Sequence, residues 1–355
     1  MSDFFSYLQR GADAPSGAAA AGASAELQAY IQSGPLLSVC GLSVTPASMG
    51  KWTDAGRQLA RQMKFDHENM DAVQKLRVYL YYLPIFFWAQ AQVAAHKASG
   101  GKGALVLGIS APQGCGKTTI VEQLELLFAW AGARAASVSI DDFYLSYADQ
   151  CATRDANPGD RLLAMRGNAG THDLKLGAET VSALKGLTGT MQVPRYNKSA
   201  YSGKGDRADP SAWPSVSGPL DVVLFEGWMS GFKALDSDEA ARSVDPDLVK
   251  VNACLRQYAG TWDALVDSWL VVRIGDPQWV YKWRLQAEEQ MRASGKAGMS
   301  DAQIEDFVSR FMPAYQAYLP ELYRAGPTTC KPSKTLVIEV DAQRSPVDKQ
   351  PAPVA

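Results

Sequence analysis

The sequence has little net charge, few histidines and no paired cysteines, and each shortage removes a class of function. Its 35 Lys and Arg residues face 37 Asp and Glu, a formal net charge of −2. No global field draws such a chain to nucleic acid or to an anionic membrane, so any anion must be held by local chemistry. The five cysteines (Cys40, Cys115, Cys151, Cys254, Cys330) are scattered without a CxxC pair. That spacing indicates neither a zinc site nor a secreted disulfide framework, and it fits a reducing compartment. No basic segment followed by an apolar core opens the chain, so a secretory signal is not expected. The first residues, with Asp3 and Asp13 against Arg10, do not resemble an organelle address either, though a processed chain would look the same. Long apolar runs are also missing: the most apolar window, 78–95, contains Pro84, Gln90 and Gln92, which reads as a buried helix rather than a membrane span.

What is present is ordinary globular material, 46% hydrophobic and 20% charged over 355 residues, enough for a sizeable core. The length suits two domains or one elaborated α/β domain. Residues 104–119 read ALVLGISAPQGCGKTT. A short apolar run breaks into a small-residue turn, and from Thr119 a helix-period pattern follows through Ile120, Val121, Leu124 and Leu127. Strand, glycine turn and helix in that order make a phosphate cradle, because backbone N–H groups and the helix dipole converge on one anion. Gln113, Gly114, Cys115, Gly116, Lys117, Thr118 and Thr119 are the nucleotide-binding candidates. Lys117 would reach the β/γ-phosphates and the Thr118 hydroxyl would face Mg²⁺. The first glycine of the pattern is Ala111 here, which the fold tolerates if that residue keeps a negative φ.

Strand-like runs at 135–140, 220–225, 269–274 and 335–340 alternate with helical patterns, which predicts an α/β fold with a mostly parallel sheet covered by helices. The expected organisation is a flexible Gly/Ala/Ser leader at 1–25 and a helical region at 26–98 packed on the core. The core itself spans 104–341, with an acceptor loop at 193–214 and a lid at about 277–300, and 342–355 is a tail. Pro84 implies a kink or break in the helical region. The aromatic cluster Tyr79, Tyr81, Tyr82, Phe86, Phe87 and Trp88 reads as core packing.

A phosphate loop has many owners, so other residues must choose among them. Asn197-Lys198-Ser199-Ala200 lacks the aspartate that reads guanine, and no transport-ATPase signature is present. A small-molecule kinase needs a base, a second acid, a polar acceptor pocket and cations over the γ-phosphoryl. Asp141 or Asp142, at the end of the 135–140 strand, can take the proton of an attacking hydroxyl, and Glu226 stands where a strand-end acid orients Mg²⁺ or its water. Arg195, Lys198, Lys204 and Arg207 form a basic loop suited to an anionic acceptor, unless they are a solvated surface. Arg166, His172, Asp173 and Lys175 lie close together in sequence, with His172 a pocket hydrogen-bond donor rather than a base. Arg284 and Arg292, two turns apart, could close as a lid. Other acceptors (a nucleoside, pantothenate, ribulose 5-phosphate) and a non-catalytic nucleotide-binding regulator are the alternatives. The regulator is disfavoured because Lys117, Asp141 and Glu226 are all intact.

The blocks APQGCGKTT, SIDDFYL, MRGNAGTHDLKL, VPRYNKSAYSGKGDRAD, LFEGWMSGF and DPQWVYKWRLQAE, with AGMSDAQIEDFVSRFMPAYQAYLP, resemble the plant-type D-glycerate 3-kinase family from about residue 30 to Val340. That family is similar to the uridine kinase and phosphoribulokinase group. The resemblance implies a P-loop kinase fold with a helical N-terminal extension and a lid, and phosphorylation of D-glycerate by MgATP to 3-phosphoglycerate. It implies the last step of photorespiration, in a chloroplast stroma or a cyanobacterial cytoplasm. The group's D-x-[FY]-[YH] block selects Asp141 as base, and its P-x-Y block falls on Pro194-Arg195-Tyr196. The catalytic set is then Asp141, Lys117 and Arg284, with Thr118 and Glu226 toward the metal. Asp142, Tyr144, Arg166, His172, Asp173, Arg195, Tyr196, Lys198 and Arg207 form the acceptor side. ATP and Mg²⁺ are the implied cofactors and glycerate the small-molecule partner. No nucleic acid or membrane partner is implied, and the oligomeric state is not legible.

Overall fold

A computed structural model describes residues 17–295 and 299–352. Most of the stretch read as a leader, 1–16, lies outside these residues. The rest of it, from Gly17, begins helix α1 (Gly17–Gln32), which suits an alanine-rich run. Helix α2 (Met49–Gln62) follows, and then a continuous helical rod: Ala72–Lys75, a π-helical segment Leu76–Tyr82, and helix α3 (Leu83–Ala98). Pro84 does not break this rod. It sits in the first turn of α3, and the wider π turn before it has already shifted the backbone bonds, with Leu83 N–H reaching back to Val78 O. The aromatic residues are buried as expected. Trp52 packs on Phe87 at 4.5 Å, and Phe86 meets Phe128 of the core at 5.4 Å.

In the core, strand β1 (Leu105–Ser110) leads through the glycine turn to helix α4 (Lys117–Trp130), then strand β2 (Ala135–Ser139). Helix α5 (Tyr147–Ala156), helix α6 (Leu174–Lys185) and strand β3 (Val222–Gly227) come next. Helix α7 (Leu248–Thr261), strand β4 (Ser268–Ile274), helices α8 (Trp279–Ala293), α9 (Asp301–Ser309) and α10 (Met312–Ala325), and strand β5 (Thr335–Val340) complete the main elements. The five strands form one parallel sheet in the order β2-β3-β1-β4-β5. Both faces are covered, which is why these strands read as apolar runs rather than alternating ones.

The strand order places chemistry at one edge. The chain leaves β1 for β2, two positions away, and returns to lay β3 between them. Glu226 is in register with Ile109 on one side and Ser139 on the other. The turns after all three strands therefore open on the same crevice at their carboxyl ends, where open α/β sheets bind ligands.

Two segments differ from their sequence reading. The acceptor loop is not structureless: Tyr196–Asn197 pairs antiparallel with Asp206–Arg207, and Thr190–Gln192 with Ser215–Ser217. The tail also folds back on the sheet. Val340 bridges to Pro346, and Val347 N–H donates to Glu339 O at 3.1 Å. The local cause is Asp341, whose Oδ1 accepts from the N–H groups of Gln343 (2.8 Å) and Ser345 (2.9 Å) and so fixes a tight turn. Among the described residues no helix is long and apolar enough to cross a membrane.

Candidate active site

The phosphate loop takes the form its sequence predicts. Gly114 and Gly116 have φ of 78° and 103°, a region other residues enter at a cost, and a Cβ on Gly114 would lie 2.7 Å from Trp283 Cβ. Ala111, by contrast, is not among the residues of positive φ, so alanine is accommodated there. Tyr315, buried in α10, accepts the Gln113 N–H on its hydroxyl at 3.0 Å. Cys115 is buried and donates its thiol to Pro112 O at 2.9 Å, and burial holds that thiol above its ordinary pKa. Lys117 folds over the loop, with Nζ 3.3 Å from Pro112 O.

In front of the loop lies a cavity of about 190 Å³ lined by Gln113, Lys117, Thr118, Ser139, Asp141, Asp142, Tyr196, Lys198, Glu226, Gly227 and Trp228. Eight of the residues singled out from sequence therefore meet here: Gln113, Lys117, Thr118, Asp141, Asp142, Tyr196, Lys198 and Glu226. Ser139, which closes β2, builds the acidic turn. Its Oγ accepts the Asp141 N–H (3.2 Å), and its own N–H donates to Asp142 Oδ2 (3.1 Å). The two aspartates consequently face different partners. Asp141 accepts from the Tyr144 hydroxyl (2.9 Å) and pairs with Lys198 Nζ (2.6 Å). Burial, the largest influence, would raise its pKa, but Lys198, the Tyr144 hydrogen bond and Lys117 together hold the carboxyl below its usual range. Asp142 pairs more loosely with Arg195, at 3.4 Å, and burial leaves its pKa raised.

Glu226 is the third acid. Burial raises its pKa against the opposing charge of Lys117, and its Oε2 is buried with no hydrogen-bond partner. An orphaned acceptor beside a lysine and the Thr118 hydroxyl is costly unless something cationic completes it. Oxygen donors alone, with the phosphates of a nucleotide to supply the rest, suit Mg²⁺. The residues present thus fit that ion. Among the described residues there is no cluster of three acidic, histidine or cysteine side chains that could hold a metal ion.

Several residues expected at the site are elsewhere. Arg284 does not line the cavity: its guanidinium pairs with the buried Glu288 one turn on in α8 and lies 5.0 Å over the Phe307 ring. Arg292 donates to Met299 O at 2.8 Å, also away from the loop. Arg166 holds the acceptor ribbon, donating to the carbonyls of Gly203 (2.8 Å), Lys204 and Lys198 (3.3 Å). Asp173 caps α6 through the Leu176 N–H (2.9 Å) and pairs with Arg207 at 3.0 Å. His172 is buried beneath the site, stacked on Tyr144 at 4.7 Å, with Nδ1 2.9 Å from the Tyr258 hydroxyl. Burial drives its pKa down to about 4, so it is neutral and is not a base at ordinary pH. Tyr144 itself is buried, and its hydroxyl is spent on Asp141.

Ser139, Trp228 and Tyr315 were not singled out from sequence. Ser139 had a signal, since serine followed three residues later by an acid is a capping pattern. Trp228, which follows Glu226-Gly227, packs edge-on against Phe311 and Tyr315 and donates to Gly167 O at 3.3 Å. Only the folded chain brings those partners together.

Residues 106–237 match the family described as Phosphoribulokinase / Uridine kinase family. The chain is 50% identical over 333 residues to the chloroplastic D-glycerate 3-kinase of Arabidopsis thaliana, covering 91% of this chain and 72% of that protein. It is 32% identical to a probable ATP-dependent kinase of Saccharomyces cerevisiae, TDA10, over 70% of this chain and 88% of the yeast protein. Among solved structures it is similar to a D-glycerate 3-kinase from Cryptococcus neoformans, with a TM-score of 0.67, 32% identity, and coverage of 75% of this chain and 97% of that one. A likeness of this extent places the chain in the D-glycerate 3-kinase family, within the phosphoribulokinase and uridine kinase group.

Proposed function

We propose that this protein transfers the γ-phosphoryl group of ATP to the 3-hydroxyl of D-glycerate, giving 3-phosphoglycerate and ADP. The observation that carries the reading is the Lys198–Asp141 pair, 2.6 Å apart, in the same cavity as Lys117 and Glu226. It puts a proton acceptor and a cation of the acceptor loop beside the phosphate loop. An alcohol that also bears a carboxylate can use both at once: its hydroxyl faces Asp141 and its anion draws on Lys198. A neutral nucleoside has no use for the second. The cavity, about 190 Å³, is below the roughly 300–1,000 Å³ of sites that enclose drug-sized ligands, which favours a small acceptor.

The transfer is in-line. The acceptor oxygen attacks the γ-phosphorus, and the bond to the bridging oxygen breaks with its electron pair leaving on ADP. The hydroxyl proton passes to Asp141, whose lowered pKa keeps it ionised and ready to accept. Lys117 neutralises charge on the β- and γ-oxygens, and the backbone N–H groups of the loop orient them. Thr118 and Glu226 would hold Mg²⁺, which supplies Lewis-acid neutralisation of the phosphates when bound. Tyr144 fixes the Asp141 carboxylate by its hydrogen bond. Arg195, Lys198 and Arg207 are the candidates for the carboxylate; each is paired with an acid, Asp142, Asp141 and Asp173 in turn, and of the three only Lys198 lines the cavity. Arg284, tied to Glu288, is given no step.

The chloroplastic name of the Arabidopsis relative supports a plastid stroma as the compartment; the photorespiratory role, and a cytoplasmic location in a cyanobacterium, are what the family resemblance implies. The direct test is an ADP-release assay with glycerate, glycerol, uridine, pantothenate and ribulose 5-phosphate as acceptors. Turnover is expected with D-glycerate and not with glycerol, which lacks the carboxylate. Faster turnover of uridine or ribulose 5-phosphate would overturn the reading.

A further inference from the structure

Beyond the cavity, one side chain of the tail touches the phosphate loop directly. Arg344 donates from Nε to Gly114 O at 2.6 Å and from Nη1 to Gln286 Oε1 of α8 at 3.2 Å, and its guanidinium lies 5.0 Å over the Trp283 ring. Trp283 in turn donates its indole N–H to Ala342 O at 2.9 Å and packs against Gly114 so closely that no Cβ fits there. A single arginine thus joins the loop, helix α8 and the C-terminal turn.

The turn that presents it is held from both sides. Asp341 ties its backbone, as described above. From the N-terminal region Arg77 donates to Arg344 O (3.1 Å) and Gln343 O (2.9 Å). Arg77 stands in the π-helical segment Leu76–Tyr82, a form that is rare and recurs at functional positions. Arg344 has a φ of 62°, uncommon for a residue with a side chain and maintained only where surrounding contacts outweigh its cost. Two unusual backbone features, far apart in sequence, therefore converge on one contact with the Gly114 carbonyl.

We propose that Arg344 is a positioning residue of the nucleotide site, through which the N-terminal helical region and helix α8 hold the phosphate loop in its ligand-ready shape. This rests on the phosphate loop being where ATP binds. The guanidinium fork is what the role needs, because it donates to Gly114 O and Gln286 Oε1 at once while stacking on Trp283. A lysine is a compact point charge without the flat fork, so it cannot lie along Trp283 while spanning both acceptors in one plane. Holding Gly114 keeps the neighbouring N–H groups aimed at the phosphates, so that ordering of the loop is not charged to ATP binding.

The test uses the full-length enzyme and compares Arg344→Ala, Arg344→Lys, Arg77→Ala and the double variant Arg77→Ala/Arg344→Ala. Losing a charge-assisted contact to the loop should raise the KM for ATP about tenfold in Arg344→Ala, with the KM for glycerate changed less than about twofold. Arg344→Lys should recover little of the loss, Arg77→Ala should show a smaller ATP defect of the same kind, and the double variant should be no worse than Arg344→Ala. Full recovery by lysine, a defect shared equally by both substrates, or additive effects of the two arginines would each overturn the proposal. Should Arg344→Ala not fold, Arg344→Lys and Arg77→Ala decide it alone. Lys117→Ala separates the levels. If it binds ATP as wild type does, the nucleotide-site assignment is wrong; if it loses ATP while Arg344→Ala does not, only the role of Arg344 is wrong.

Discussion

Replacing Asp141 by asparagine separates its chemistry from its structural role, because the two contributions differ greatly in size. The side chains are nearly the same shape, and Asn Oδ1 can still accept the Tyr144 hydroxyl now 2.9 Å away. What is lost is the ion pair at 2.6 Å to Lys198, whose side chain is 58% exposed while that of Asp141 is 29% exposed. A pair so open to water contributes on the order of 1 kcal/mol at most. Removing a partly buried carboxylate also relieves its desolvation, which offsets part of even that. The melting temperature should therefore fall by no more than about 2–4 °C, the shift that 1 kcal/mol produces in a domain of 150–250 residues. An amide takes up no proton, however, and general base catalysis is worth roughly 10²–10⁴ in rate. Steady-state kinetics at saturating ATP and D-glycerate should show kcat down by that factor, with ATP affinity from direct titration unchanged. A variant whose kcat stays within about tenfold of wild type would remove Asp141 as the base. One that melts far below wild type would show that the carboxylate is structural instead.

Other substitutions probe the neighbours. Lys198→Ala leaves Asp141 with its burial and without the foremost of the groups that oppose it, so the carboxyl pKa rises. The base must be ionised to work, and the acid limb of the kcat/KM profile should move to higher pH; an unmoved limb would mean that Lys198 does not act on the base. Glu226→Gln keeps the shape of the side chain but removes the anion, and should raise the Mg²⁺ concentration for half-maximal rate by about 10–100-fold while leaving the KM for glycerate alone. An unchanged Mg²⁺ titration would take Glu226 out of the metal site. Asp263 is buried between the Gly231 N–H (3.3 Å) and the Thr328 hydroxyl (2.6 Å), and burial raises its pKa from 3.8 to about 7. The native state then binds that proton more tightly than the unfolded chain, so its stability contribution is complete below the ordinary carboxylate range and is lost as pH rises through about 7. Melting temperatures across this window should fall for wild type and much less for Asp263→Asn; parallel curves would show that Asp263 does not carry the slope.

The parts of the site that sequence made legible are those built by neighbours along the chain. A strand, a glycine turn and a helix start are local patterns, and each strand-end acid sits where its own strand stops. Lys117, Thr118, Asp141 and Glu226 could therefore be placed before any contact was known, and the parallel sheet then brought them to one crevice. The acceptor cations were legible as a group but not as individuals. Whether Arg166 grips a ligand or three carbonyls of the acceptor loop depends on how that ribbon closes, and Tyr196 pairing with Arg207 decides that only in three dimensions.

The arginines show the limit most clearly. Arg284 had a readable alternative, because Glu288 lies four residues on, and the i,i+4 spacing is that of an intrahelical ion pair. Arg344 had none: its partner Gly114 is 230 positions away, and the helix that supports its carbonyl lies at the other end of the chain. Sequence periodicity reports what a segment does with itself, whereas a nucleotide site needs its loop held from outside. The two arginines accordingly exchange places. The one expected over the phosphates is anchored within α8, by a carboxylate so buried that releasing it would strand a charge. The one in the supposed tail is in contact with the phosphate loop. A cation that closes over the γ-phosphoryl is thus better sought among side chains already at the crevice, Lys117 and Lys198, than in α8.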